Sequence, residues 1–89
     1  MTNAALPADK TLLLVDDDKP FLTRLARAME TRGFEVLTAE SVAEGVAHVK
    51  RAAPSFAVVD LRLGDGNGLD VIEALHQARP EARAVVLTG

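Results

Sequence analysis

Short apolar runs that end in acid, each followed by a stretch of helical periodicity, constrain this chain more than any other feature. Thr11 to Val15 (TLLLV) is closed by Asp16, Asp17 and Asp18, and Phe56 to Val59 (FAVV) is closed by Asp60. Continuous apolar runs of this length suit strands buried on both faces, as in a parallel sheet covered by helices. Between them, Phe21, Leu22, Leu25, Ala26 and Met29 recur at helical spacing, with Pro20 in the first turn and Gly33 at the stop. Phe34 to Thr38 reads as a second strand. Ser41 to Glu44 (SVAE) has the capping-box spacing, and Val42, Val46 and Val49 continue one apolar stripe to about Ala53. Pro54 breaks the chain before the third strand. A glycine-rich loop, Leu61 to Gly68 (LRLGDGNG), then leads to a helix marked by Leu69, Val71, Ile72 and Leu75, which stops before Pro80. Ala84 to Leu87 forms a fourth apolar strand ahead of Thr88.

The order β-α-β-α-β-α-β predicts an α/β fold of three layers, α/β/α, on a parallel sheet. Met1 to Lys10, with Pro7 and no periodicity, reads as a flexible lead-in, and residues 11–89 as the domain. At 89 residues the chain has room for one small domain. The absence of cysteine excludes disulfides and thiolate metal sites. A net charge of −3 without a basic run argues against direct nucleic-acid binding by this segment. No apolar stretch reaches signal-peptide or membrane-spanning length, so no membrane association and a cytoplasmic location are expected.

In open parallel α/β sheets, ligands bind beyond the carboxyl ends of the strands, where the strand order reverses. Asp16 and Asp17 end the first strand, Asp60 the third, and Thr88 follows the fourth. A strand order of 2-1-3-4 would bring the three carboxylates together. Such acids repel one another unless a cation sits among them, and hard, oxygen-seeking Mg²⁺ suits an all-carboxylate set. Mg²⁺ keeps positions free for phosphoryl oxygens, so Asp60 gains a second possible role as a nucleophile toward phosphorus. Thr88 could donate its hydroxyl to a phosphoryl oxygen. Asp18, just before the helix and Pro20, reads as an N-cap instead. Asp65 to Gly68 (DGNG) lacks the acid spacing of a calcium loop and reads as a turn with no metal role. His48 and His76 read as ordinary helix positions, solvated or half-buried.

Together, LLLVDDD, VVDLRLGDGNG and AVVLTG resemble the receiver domain of two-component response regulators, CheY-like and of flavodoxin-like topology, across residues 11–89. PFLTRLARAMETRGFEVLTAESVAEG and DLRLGDGNGLDVIEAL further resemble the RegA/PrrA/ActR group of redox-responsive transcriptional regulators. The resemblance implies that Asp60 is the phosphoacceptor, Asp17 a direct Mg²⁺ ligand, and Asp16 an acid acting on the metal largely through water. It further implies the main-chain carbonyl of Arg62 as a ligand, Thr88 as a switch hydroxyl, and a phosphohistidine on a sensor histidine kinase as the donor. Against that family the chain reads as truncated after its fourth strand. By that reading the fifth strand, the last two helices, the DNA-binding output and the strand-five lysine are expected to be absent from residues 11–89, and Lys10, Lys19 and Lys50 lie in the wrong elements to stand in for that lysine. Impaired phosphorylation, and self-association through the apolar edge and uncovered face of strand four, are expected.

Two other functions compete. A Mg²⁺-dependent phosphohydrolase of Rossmann-like topology also uses strand-end aspartates, but usually places a second acid two residues after the nucleophile, where this chain has Arg62. An inert interaction or dimerisation fragment would carry the acids as relics and show no response to Mg²⁺.

Overall fold

The computed structural model describes residues 9–88. Its elements in chain order are β1 (Thr11–Val15), α1 (Lys19–Thr31), β2 (Glu35–Ala39), α2 (Val42–Arg51), β3 (Phe56–Asp60), β4 (Arg62–Leu63), β5 (Gly66–Asn67), α3 (Leu69–Ala78) and β6 (Arg83–Leu87). Four strands form a parallel sheet in the order β2-β1-β3-β6. This is the expected 2-1-3-4, since β6 is the fourth strand of the sequence reading. The remaining two strands are a short antiparallel hairpin inside the glycine-rich loop, Arg62 opposite Asn67 and Leu63 opposite Gly66. Strands of two residues carry no periodicity, so nothing in the loop composition announces them.

The two faces of the sheet are covered differently. Leu13, Val15, Ala57 and Val59 point to one face, where they pack with Val49 of α2 and Val71 and Leu75 of α3. Gly45 permits this, because a methyl group there would come within 3.1 Å of Val71. On the other face, Leu12 and Leu14 meet Leu22 of α1, flanked by Leu25, Met29, Phe34, Phe56 and Val58. Phe34 and Phe56 pack edge to face with centroids 5.6 Å apart. Beyond α1 this face opens into an apolar groove of about 250 Å³ bounded by Met29, Phe34, Phe56, Val58 and Val85.

Helix ends follow local chemistry. Asp18 caps α1, its Oδ1 accepting the Phe21 N–H at 3.1 Å. At the other end Gly33 adopts φ +93°, with Gly33 N–H donating to Glu30 and Phe34 N–H to Met29. This closure uses the amide of Phe34, so β2 starts at Glu35 rather than at Phe34. Ser41 accepts the Glu44 N–H at 3.1 Å, the first half of the expected capping box of α2, while the Glu44 carboxylate reaches one residue further back and accepts the Glu40 N–H at 2.7 Å.

Part of the expected flexible lead-in is instead tied down. Asp9 accepts from Thr11, whose backbone N–H lies at 2.9 Å, and from Arg79 Nη1 at 2.7 Å. Lys10 accepts the Glu35 N–H at 3.0 Å and sets its ammonium over the Phe34 ring. Met1 to Ala8 lie outside the described residues. No helix among the described residues is long and apolar enough to cross a membrane.

Candidate metal centre

Parallel pairing of β1 with β3, Val15 beside Val59, delivers the acids at the carboxyl ends of these strands to one place. Asp16, Asp17 and Asp60 each present a carboxylate oxygen, and these oxygens all lie within 4.8 Å of one another. Asp16 is buried, Asp60 partly buried and Asp17 exposed, so the cluster is set into the end of the sheet yet open to solvent on one side.

Hydrogen bonds orient two of the three. Asp16 Oδ1 accepts the Asp18 N–H at 2.8 Å, which folds the β1–α1 turn back over the strand end. Asp60 Oδ1 accepts the Arg62 N–H at 3.1 Å, which fixes the carboxylate against the first residue of β4. Burial pushes the Asp16 carboxyl above its ordinary value, and the charges of Asp60, Asp17 and Asp18 add to the rise, while the Asp18 amide opposes it. Ion pairs among the described residues are Lys19 with Glu40, and Arg79 with Asp9 and Glu81, none of which involves this cluster. A set of converging carboxylate oxygens without a cationic side chain fits a hard divalent cation.

Leu87 pairs with Asp60 in the sheet and accepts the Leu61 N–H at 3.0 Å, so Thr88, the next residue, emerges exposed at the same end. Arg62 lies two residues past the β3 end, at the start of β4. Lys19, at the start of α1, lies 3.7 Å from Glu40, while Lys10 is occupied by Phe34. His48 and His76 donate through Nε2 to the Thr38 and Ala82 carbonyls, each at 3.1 Å, away from the acids.

Two residues of the loop matter in ways the sequence reading missed. Gly68 has ordinary helical torsions, yet a Cβ there would run into the Asp60 carbonyl. Its N–H donates to Leu61 at 2.9 Å, so the loop closes directly behind Asp60. Asp65, at the hairpin tip, accepts the Val42 N–H at 2.8 Å and the Ala43 N–H at 3.0 Å. These bonds hold the Asp65 carboxyl below its ordinary value. Only its glycine-rich setting marks Gly68, and nothing local marks Asp65.

A parallel three-layer α/β domain with a cluster of acids at the carboxyl ends of its central strands is thus the class defined by fold and site. The family model "Response regulator receiver domain" matches residues 12–89, and the chain belongs to that family. It is 65% identical over 86 residues to the photosynthetic apparatus regulatory protein RegA of Rhodobacter capsulatus, covering 97% of this chain and 47% of that one. It is likewise 65% identical over 81 residues to the acid tolerance regulatory protein ActR of Sinorhizobium medicae, covering 91% of this chain and 42% of the relative. The chain therefore spans about half the length of the curated relatives it matches. Among solved structures, a response regulator protein from Burkholderia pseudomallei with a phosphorylated aspartic acid, calcium ion and citrate superposes with a TM-score of 0.84 at 40% identity, covering 91% of this chain and 48% of that one. These likenesses place the chain as the receiver module of a two-component response regulator.

Proposed function

We propose that Asp60 accepts a phosphoryl group from a phosphohistidine of a sensor histidine kinase, in a reaction dependent on Mg²⁺, to switch a transcriptional output. The convergence of Asp16, Asp17 and Asp60 without a cationic partner supports this most directly. In the transfer, a carboxylate oxygen of Asp60 bonds to phosphorus as the bond from phosphorus to the donor imidazole nitrogen breaks, the electron pair staying on the imidazole. The Arg62 N–H holds Asp60 in one orientation for in-line approach. Asp17, Asp60 and the Arg62 carbonyl would hold the ion directly and Asp16 largely through water; bound Mg²⁺ would offset the charge of the transferring group. Thr88 then donates its hydroxyl to a phosphoryl oxygen. A module of this kind is a phosphoacceptor rather than a hydrolytic enzyme, and Arg62 stands where the competing phosphohydrolases usually place a second acid.

Incubation with acetyl phosphate and Mg²⁺, followed by peptide mass spectrometry, tests the assignment. A phosphoryl label on Asp60 of low yield, in keeping with the impaired phosphorylation expected above, that disappears in Asp60→Asn and on removal of Mg²⁺ is expected. A label of equal yield in Asp60→Asn would overturn it.

We further propose self-association through β6, supported by the exposure of Val85 and Val86 and by the apolar groove beside them. Light scattering across a concentration series should show a mass above the monomer, and a constant monomer mass would refute it.

A further inference from the structure

The hairpin inside the glycine-rich loop connects the acid cluster to a helix that takes no part in it. At its base, the Arg62 N–H donates to Asp60 Oδ1 at 3.1 Å. At its tip, the Asp65 carboxylate takes the Val42 and Ala43 amides at 2.8 and 3.0 Å, using one oxygen for each. Ser41 already accepts from Glu44, so Asp65 supplies the partners that the helix's own cap leaves over. The hairpin also rests on the helix through Gly66, where an added Cβ would touch Val42 at 3.6 Å, and through the buried Leu63 in the core that Val42 packs against. Arg62 and Leu63 pair with Asn67 and Gly66, so displacement of the tip is carried to the base through the ladder.

We infer that Asp65 is a positioning residue for the metal centre, holding the β4–β5 hairpin against the N-terminus of α2 and thereby fixing Arg62 beside Asp60. The inference rests on the metal reading above. Asp65 touches neither the ion nor the transferring group. Its effect is exerted on Arg62, whose amide orients Asp60 and whose carbonyl is a proposed ligand. Removing a direct hydrogen-bond partner of a metal ligand commonly costs about 10- to 100-fold in affinity, and Asp65, which acts one step further out through the hairpin, belongs at the lower end of that range.

The test is a Mg²⁺ titration of the full chain followed by the backbone amide resonances of Asp16, Asp17 and Asp60. In the unmodified protein these resonances should shift saturably. Asp65→Ala should weaken Mg²⁺ binding about tenfold. Asp65→Asn, which retains one acceptor oxygen, should lose less. Ser41→Ala removes a cap from the same helix terminus without touching the hairpin, and should leave the affinity unchanged. A merely structural role for Asp65 would weaken binding equally in Ser41→Ala and Asp65→Ala, and that result overturns the proposal. Unchanged affinity in both Asp65 variants, with the amides of Gly64 and Gly66 displaced, also overturns it while leaving the metal reading intact. No Mg²⁺ response in the unmodified protein would refute the metal reading and the positioning role together.

Discussion

The two ends of the sheet treat aspartate in opposite ways. At the amino end, Asp9 accepts from the Thr11 hydroxyl, from Arg79 Nη1 at 2.7 Å and from the Thr11 N–H, and these bonds, the hydroxyl's first, hold its carboxyl well below the ordinary value of 3.8. Arg79 also reaches the Ala53 carbonyl at 3.0 Å, and Ser55 Oγ donates to the Asp9 carbonyl at 2.7 Å, so the clasp ties the residue pair ahead of β1 to the entry of β3 and the end of α3. At the carboxyl end, Asp16 loses solvent and faces the charges of three further acids, gaining only one amide, and its carboxyl is raised above the same ordinary value. One acid is matched inside the fold and adds stability. The other is left for a partner from outside, and its ionisation costs stability until that partner arrives.

The largest effect should come from Gly68→Ala. The added methyl meets the Asp60 carbonyl, and relieving that overlap should cost about 1–3 kcal/mol and move the phosphoacceptor. Thermal unfolding reads the first consequence and loss of Asp60 labelling the second. Unchanged values for both would show that the loop relaxes freely behind Asp60.

Arg79→Ala sharpens the contrast through pH. A lowered carboxyl contributes stability above its unfolded value and loses it as pH falls through the folded one. The variant should melt below the unmodified protein at neutral pH, and the gap should narrow in acid below pH 3.8. A gap independent of pH would assign the effect to the Ala53 bond alone. Ser55→Ala removes a buried donor and should cost about 1 kcal/mol, or ~4–8 °C in melting temperature. A melting temperature equal to the parent's would mean that the clasp does not rely on that hydroxyl.

The smallest effect, and the one of opposite sign, belongs to Asp16→Asn. The amide retains the oxygen that accepts the Asp18 N–H and discards the charge. For a raised carboxyl, the cost is absent below the unfolded value and fully present once pH exceeds the folded one. The variant should therefore melt above the parent at neutral pH without metal, with no advantage in strong acid. A variant less stable than its parent at neutral pH would break the contrast between the two ends.

Strand positions and acid placement were legible because each is written locally: Leu12 to Val15 and Phe56 to Val59 are apolar without interruption, and Asp16, Asp17 and Asp60 follow directly, whereas the order 2-1-3-4 was reached only as the arrangement that would bring those acids together. Features that depend on distant partners were not. Asp65 finds its amides 22 and 23 residues upstream, and Arg79 meets Asp9 across 70 residues, separations at which single-chain spacing is silent. Nor does composition reveal that Gly68 is needed for room rather than for its torsions, since only the backbone of Asp60 beside it makes the difference.

Thermal unfolding at neutral pH across a Mg²⁺ series tests most directly whether the carboxyl-end acids await a cation. Binding confined to the folded state should raise the melting temperature steadily with the logarithm of Mg²⁺ concentration, by about 2.7 kcal/mol of stability at 100 times the dissociation constant. The rise should vanish when Asp16, Asp17 and Asp60 are all replaced by asparagine. A flat response in the unmodified protein, or an equal rise in the triple variant, would contradict it.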